Sequence, residues 1–453
     1  MIIGGGILQV PAIQTASLMG IKTIVTDYNP DAYGLKIADY PVVMSTRDID
    51  GTVRIAKEMC KKVPINGVMT VGTDASKTVS AVANALGLPG IKFEDAECAT
   101  NKIKMRNRFK KFKVPCPDFY GVWTYTEVLE AFKKLNKPVV VKPADNMGAR
   151  GVKRVDEEVD LAEAFESAKN NSPSGEIIIE EYMEGDELSI DSLVFNGEVF
   201  ICGIADRIIE RAPFFIETGH VMPSQKKQDI LDNAVEVMKQ GIKALGITIG
   251  AAKGDIKVTS QGAKIVELAA RLSGGFMSTY TFPYATGVNL MKAGILVALG
   301  QKPLLEDLTP KWNKVAIERG IIPKPGIIRD FAGLEEAEKI SGVRHVFITC
   351  EVGDEITPPT NNVEKAGHII AVGDTHEEAF AISSKALNCV KVITEEQAIL
   401  NLEEVKRRAI ERFNRSCFVC KDCNGVECRG KVPGMGGVGN GFSFQNNIHA
   451  IRQ

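Results

Sequence analysis

The sequence predicts an α/β and α+β protein in which an open parallel sheet is followed by mixed sheets. Three observations carry this. The first ~95 residues alternate short apolar runs with helical stretches, the rhythm of βαβ units. From Lys137 the pattern turns β-rich, and a further unit at about 314–393 contains a strand that feeds a helix. At 453 residues the chain is too long for one compact core. The expected division is an α/β domain at 1–98, a central domain at 99–305 with a small lobe at about 137–205, and an α+β domain at 306–395. A helical connector at 396–416 and a Cys/Gly-rich tail at 417–453 complete it.

Taken in order, Ile2 and Ile3 predict a first strand, residues 11–19 a helix and 23–26 a second strand. Residues 66–71 read as another strand, and 76–86 as a helix. Residues 101–113 form a strongly basic helix that Pro115 and Pro117 cannot continue. Strands are expected at 138–142, 176–182, 187–195 and 198–204, followed by a long loop of mixed chemistry at 206–223. Residues 225–245 are helical, with Ile230, Val235, Val237, Met238 and Ile242 as the apolar positions. Strands at about 247–258 and 263–268 come next. Residues 367–372 are a strand leading into a helix at 375–387, with Thr375 placed to cap it.

Bulk properties narrow the function. A net charge of −2 gives no electrostatic reason to expect nucleic acid or an anionic membrane. No run approaches the ~18 apolar residues of a membrane helix. The N-terminus lacks the basic region and long apolar core of a signal peptide, so a cytoplasmic protein is expected. Five scattered histidines argue against a His-rich metal centre. Six cysteines are isolated, whereas Cys417, Cys420, Cys423 and Cys428 crowd together and can ligate zinc or an iron–sulfur cluster.

The chemistry-bearing elements follow one another in order. Lys142 stands near the end of an apolar strand, directly before a loop containing Gly148 and Gly151, where backbone N–H groups can wrap phosphate oxygens. The loop does not match the Walker pattern. Residues 177–187 end an apolar strand in an acidic hinge, Glu180, Glu181, Tyr182 and Met183, whose backbone can pair with an adenine edge. Glu187 can accept ribose hydroxyls. A hairpin then carries Asp255 on one strand and Glu267 on the other, a carboxylate pair suited to magnesium. Arg271 follows, placed to meet a transferring phosphoryl group, with Ser273-Gly274-Gly275 behind it. Each element alone would also suit an ordinary turn.

Their order and spacing over residues 1–395 resemble the ATP-grasp superfamily, with flanking domains similar to those of carbamoyl-phosphate synthase and biotin carboxylase. The resemblance implies an ATP-grasp fold preceded by a Rossmann-like domain and followed by a small α+β domain. It implies Lys102 and Lys142 on phosphates, Glu180 to Met183 on adenine and Glu187 on ribose. Asp255 and Glu267 would hold magnesium, with manganese as a substitute, and Arg271 would face the acyl phosphate. Ala269 departs from the pattern, because many members place Asn two residues after the second metal carboxylate; this leaves the number of ions open. The form Glu-Leu-Ala-Ala-Arg resembles that of amino-acid ligases.

In residues 206–223, Phe214 and Phe215 can cover a ligand, and Glu217 and His220 can orient an amine or polarise a carboxylate. A similar stretch occurs in ligases that join amino acids to other molecules. The function implied is an ATP-dependent carboxylate–amine ligase using an acyl phosphate. Its partners would be a small carboxylate and an amine, with no nucleic acid and no membrane, and a homo-oligomer is compatible. The alternatives are bicarbonate-using carboxylase or carbamoyl-phosphate chemistry, and a non-catalytic ATP-binding subunit. Gly4-Gly5-Gly6 with Asp27 imitates a dinucleotide fingerprint, but Gln9 replaces the third glycine and the structural reading is preferred. Residues 429–439 resemble the beginning of FMN-dependent α-hydroxy-acid dehydrogenases, implying a former or present coupling to such an enzyme.

Overall fold

The computed structural model describes residues 1–395, which form a single unit. At the N-terminus, strands Ile2–Ile3, Ile24–Asp27 and Tyr40–Val43 make a parallel sheet in that order. Residues 66–71 are not a strand of it. They touch the neighbouring backbone only through single bridges, Ile2 with Met69 and Val71 with Leu272. The segment starts along the first strand and then leaves to tie onto residue 272. Tyr40–Val43 was not foreseen, because Pro41 and its half-exposed pattern disguise an edge strand.

A four-stranded antiparallel sheet follows, ordered Phe119–Val122, Ile177–Glu181, Val139–Pro143, Lys153–Val155. Helices Tyr125–Leu135 and Leu161–Asn170 cover one face, burying Val128, Ala131, Leu161, Ala164 and Phe165 against Val139, Val141, Ile177 and Ile179. The first of these helices opens with a capping box in which Thr124 and Glu127 satisfy each other's backbone N–H groups. This sheet is therefore built from residues 119–181. The strands expected to complete the small lobe, Asp186–Phe195 and Glu198–Glu210, lie instead in a second, larger sheet.

That sheet has eight strands, ordered Gly262–Ala269, Gly250–Thr259, Asp186–Phe195, Glu198–Glu210, Ile216–Met222, Val315–Ile321, Gly367–Gly373, Val343–Ile348. Its last three strands come from the region expected to form a separate α+β domain, so the two regions share one continuous sheet. Helix Gln228–Ala244 packs Val237, Met238 and Ile242 onto the outer hairpin. Gly241 admits the close contact: a Cβ there would lie 2.4 Å from Ile265 Cδ1.

Residues 206–223 are a second correction. They are no long loop: strand Glu198–Glu210 continues through Arg207, turns at 211–215, and returns as Ile216–Met222. The charged residues that suggested a loop are paired with one another on the cleft side of the sheet. Among the described residues no helix is long and apolar enough to cross a membrane.

Candidate active site

A cavity of about 420 Å³ lies between the four-stranded and eight-stranded sheets. Twelve of the fourteen side chains and loop residues expected from sequence line it: Lys102, Lys142, Gly148, Glu180 to Met183, Glu187, Glu217, Asp255, Glu267 and Arg271. Gly151 and His220 do not. Gly151 is turned against helix Leu161–Asn170, where a Cβ would lie 2.8 Å from Asn171 Cβ. His220 is one layer deeper, 1% exposed.

At one end, Lys142 Nζ lies 2.6 Å from Glu180 Oε2, and Arg106 Nε donates to Glu180 Oε1 at 2.7 Å. All three are buried. Burial pushes the Lys142 ammonium down and Glu180 opposes it. Burial would raise Glu180, but Arg106 and Lys142 more than offset this and keep it ionised. The Glu180 side chain is thus committed to positioning Lys142. Lys102, at the start of helix Lys102–Phe112, donates to the Asn146 carbonyl at 2.7 Å and lies 3.4 Å from Glu267. Gly148 and Ala149 both have positive φ, so the 145–151 loop takes a form that favours glycine. Asn362 N–H ties this loop down by donating to the Gly148 carbonyl.

The hairpin register pairs Asp255 with Glu267 and Lys253 with Ala269. Side chains directly opposite one another share a face, which brings the two carboxylates together. Glu267 is held down at about 2: burial would raise it, but Lys102, Lys142, Lys253 and Arg271 prevail. Asp255 is different, because Lys253 bonds to it and Arg207 Nη1 lies 3.2 Å away. The segment after the hairpin is fixed from two sides. Ser76 Oγ donates to the Ala270 carbonyl at 3.1 Å and Gly72 N–H to the Leu272 carbonyl at 3.2 Å, so the N-terminal unit positions Arg271. Buried Asp191 accepts both Ser273 N–H and Ser273 Oγ–H, at 3.0 and 2.5 Å.

Arg207 is the residue that sequence reading left without a role. Its guanidinium contacts Glu187, Glu217 and Asp255 together. Burial would lower its pKa, but these three carboxylates raise it well above the ordinary value. Asn362 and Lys365 were also missed. Asn362 Oδ1 accepts Glu217 N–H at 2.7 Å, and Lys365 Nζ donates to the Glu217 carbonyl at 2.9 Å. Glu318 was missed too, although an acid directly after the apolar run Val315-Ala316-Ile317 is compatible with a buried partner. It lies 3.3 Å from His220 Nδ1 and 2.6 Å from His368 Nδ1.

His220 also has Glu217 at 3.5 Å. Burial would lower its pKa, but the two carboxylates carry it from 6.5 to about 9. A folded-state pKa above the unfolded one stabilises fully below about 6.5 and is lost as pH climbs through about 9. At about 1.4 kcal/mol per pKa unit, this amounts to roughly 3 kcal/mol. Urea unfolding of the wild type is therefore expected to weaken across that window, and His220→Gln should flatten the profile. Parallel profiles for the two proteins would show that His220 is not the group responsible.

At the N-terminus, Gly5 N–H and Asn29 N–H donate to Asp27, and Gly34 packs on the Gly5 carbonyl, so these residues serve local packing. The zinc or iron–sulfur assignment at Cys417, Cys420, Cys423 and Cys428, the connector and the dehydrogenase-like stretch all lie outside the described residues.

Comparison with known proteins agrees with this geometry. Residues 135–280 match the model of the ATP-grasp domain, and residues 320–395 match L-amino acid ligase C-terminal domain 2. The chain is 25% identical over 324 residues to the L-arginine-specific L-amino acid ligase of Bacillus subtilis, covering 70% of this chain and 77% of that protein. It is 26% identical to the phosphoribosylamine–glycine ligase of Methanococcus vannielii, covering 93% and 95%. In fold, the L-amino acid ligase of Bacillus licheniformis superposes with a TM-score of 0.76 at 24% identity, over 87% of this chain and 98% of that one. Residues 135–280 are thus an ATP-grasp domain and residues 320–395 an amino-acid-ligase type C-terminal domain, and the protein is an ATP-grasp ligase of the carboxylate–amine class.

Proposed function

We propose that the protein activates the carboxylate of an amino acid with ATP and joins the resulting acyl phosphate to an amine. The observation that carries this reading is that a carboxylate, Glu217, and a guanidinium, Arg271, line the same cavity. Glu217 presents a carboxylate oxygen towards Gly275, whose added Cβ would lie 3.8 Å from it, while Arg271 lines the same cavity. A zwitterion suits that pairing, its ammonium towards Glu217 and its carboxylate towards Arg271. Ile7, Leu8, Phe276, Met277 and Val363 supply apolar wall for a side chain, which bicarbonate would leave unused.

ATP would lie across Lys102, Lys142 and the 145–151 loop, with its base towards residues 180–183 and its ribose near Glu187. Bound magnesium, or manganese in its place, neutralises phosphate charge. Glu267 fits that role as an ionised carboxylate facing the cavity. Asp255 can join it only by sharing Lys253 and Arg207, and Ala269 offers no side-chain oxygen. Lys142, Lys102 and Arg271 hold the phosphoryl group as it moves to the acid, and the closed 145–151 loop limits water at the acyl phosphate.

The test is ADP release with pooled amino acids and amines. Acid-dependent ADP formation is expected, with Glu217→Gln raising the KM for the acid by about tenfold, the loss of one ionic contact of roughly 1.4 kcal/mol. ATP binding without any acid-stimulated ADP would instead favour a regulatory subunit. A separate expectation concerns the ion. Lys253→Met removes a cation from Asp255 and should tighten Mn²⁺ binding about tenfold, read by electron paramagnetic resonance with a non-hydrolysable ATP analogue. An unchanged dissociation constant would show that Lys253 does not compete with the ion.

A further inference from the structure

We propose that His368, oriented by Glu318, takes the proton from the amine that attacks the acyl phosphate. The inference rests on the ligase reading above and adds the base for the amine half of the reaction.

Two imidazoles flank the buried carboxylate of Glu318, and they differ in access. His220 is sealed: its Nε2 bonds to Thr281 Oγ1 at 2.9 Å, and it does not line the cavity. His368 does line it. Strand pairing explains the placement, because Gly367–Gly373 lies antiparallel to Val315–Ile321 with His368 opposite Gly320. Glu318, two residues from Gly320 on the same face of its strand, reaches the ring. Nδ1 of His368 donates to Glu318 Oε1 at 2.6 Å. That bond fixes the tautomer with Nε2 as the free lone pair. Phe276 packs edge-on against the ring, centroids 4.9 Å apart, and holds its plane. Among the described residues Nε2 has no hydrogen-bond partner. An imidazole with one nitrogen anchored on a buried carboxylate and the other open to a substrate cavity is arranged as a base.

The chemistry demands such a group. An amine that arrives as an ammonium ion has no lone pair, and one that attacks neutral must shed a proton as the amide forms. The nitrogen lone pair forms the C–N bond to the acyl carbon. The bond from that carbon to the phosphate oxygen breaks, its electron pair leaving with inorganic phosphate. The surplus proton on nitrogen goes to His368 Nε2 and from there to solvent. Phe276, next to Gly275 in the chain and stacked 4.6 Å from Phe347, lines the same cavity as His368 and packs against its ring.

Hydroxylamine separates this role from a structural one, because it is already an unprotonated nucleophile at neutral pH and captures acyl phosphates without a base. The full chain is incubated with ATP, a responsive amino acid and either an amine or hydroxylamine, and amide and hydroxamate are counted. For His368→Gln the hydroxamate-to-amide ratio is expected to rise on the order of 10²-fold, the usual worth of a positioned base. Glu318→Gln should shift the ratio in the same direction by less. Equal falls in both products, or no fall in either, would overturn the assignment. Binding of an ATP analogue, followed in parallel, identifies a variant that has failed to fold. If the wild type forms no hydroxamate with any acid, the ligase reading itself fails, an outcome distinct from failure of His368 alone.

Discussion

Arg271→Ala is expected to lower kcat for acid-dependent ADP release by about 10²–10³-fold, the range for removing a positioned charge donor from a developing anion. The side chain is built for that task. Its Nη1 donates to the Leu272 carbonyl at 3.1 Å, while its buried Nε has no protein partner. Arg271 lines a cavity that also holds Lys102 and Lys142, and three cations gathered there suit an anionic ligand. The carbonyls on either side are tied to Ser76 and Gly72, so the arginine needs no rearrangement as charge develops. Arg271→Lys should recover little, because a point charge does not reproduce the planar fork. The measurement is steady-state ADP release beside the dissociation constant of an ATP analogue. A fall in kcat with affinity changed less than about threefold places the interaction in the transition state. Equal losses in both would mean that Arg271 merely binds the nucleotide.

Much of the cavity's lining was legible because its residues lie in local strings. Lys142 ends an apolar strand, Asp255 and Glu267 sit on facing strands of one hairpin, and Arg271 follows four residues later. Short-range order sufficed for these. What it could not supply is the register between distant strands. His368 reaches the cavity, with Glu318 behind it, because residues 315–321 and 367–373 extend the sheet that carries Glu217, through pairings across roughly 50 to 100 residues that no local pattern states. Arg207 was read into a loop for a related reason. A strand whose cleft face is charged lacks the apolar alternation that marks a half-buried sheet, and only the three carboxylates around it explain its composition. The strand at 66–71 failed in the opposite sense. Its apolar run is genuine, but it is spent bridging the N-terminal sheet to residue 272.

Arg106→Met should lower the free energy of unfolding by about 3–5 kcal/mol, the loss typical of removing one partner from a buried ion pair. Nothing in the run of basic residues at 102–113 distinguishes Arg106 from its neighbours, yet it is fully buried whereas Lys110 and Lys111 face solvent. The distinction comes from packing. Helix Lys102–Phe112 turns Met105, Arg106 and Phe109 inward, and the guanidinium spans two elements, donating to Glu180 Oε1 at 2.7 Å and to the Val266 carbonyl at 2.6 Å. Without it, the Val266 carbonyl loses its buried donor, and Glu180 keeps Lys142 alone. Lys142 is then drawn further towards Glu180 and away from the phosphates, so stability and nucleotide affinity should fall together. The double variant Arg106→Met/Glu180→Gln separates the two causes, because a neutral amide is no longer an underpaired charge. If the orphaned carboxylate dominates, urea titrations will find the double variant more stable than Arg106→Met alone. A single-variant loss below about 1 kcal/mol would mean that Lys142 and local solvent already satisfy Glu180, contrary to its burial.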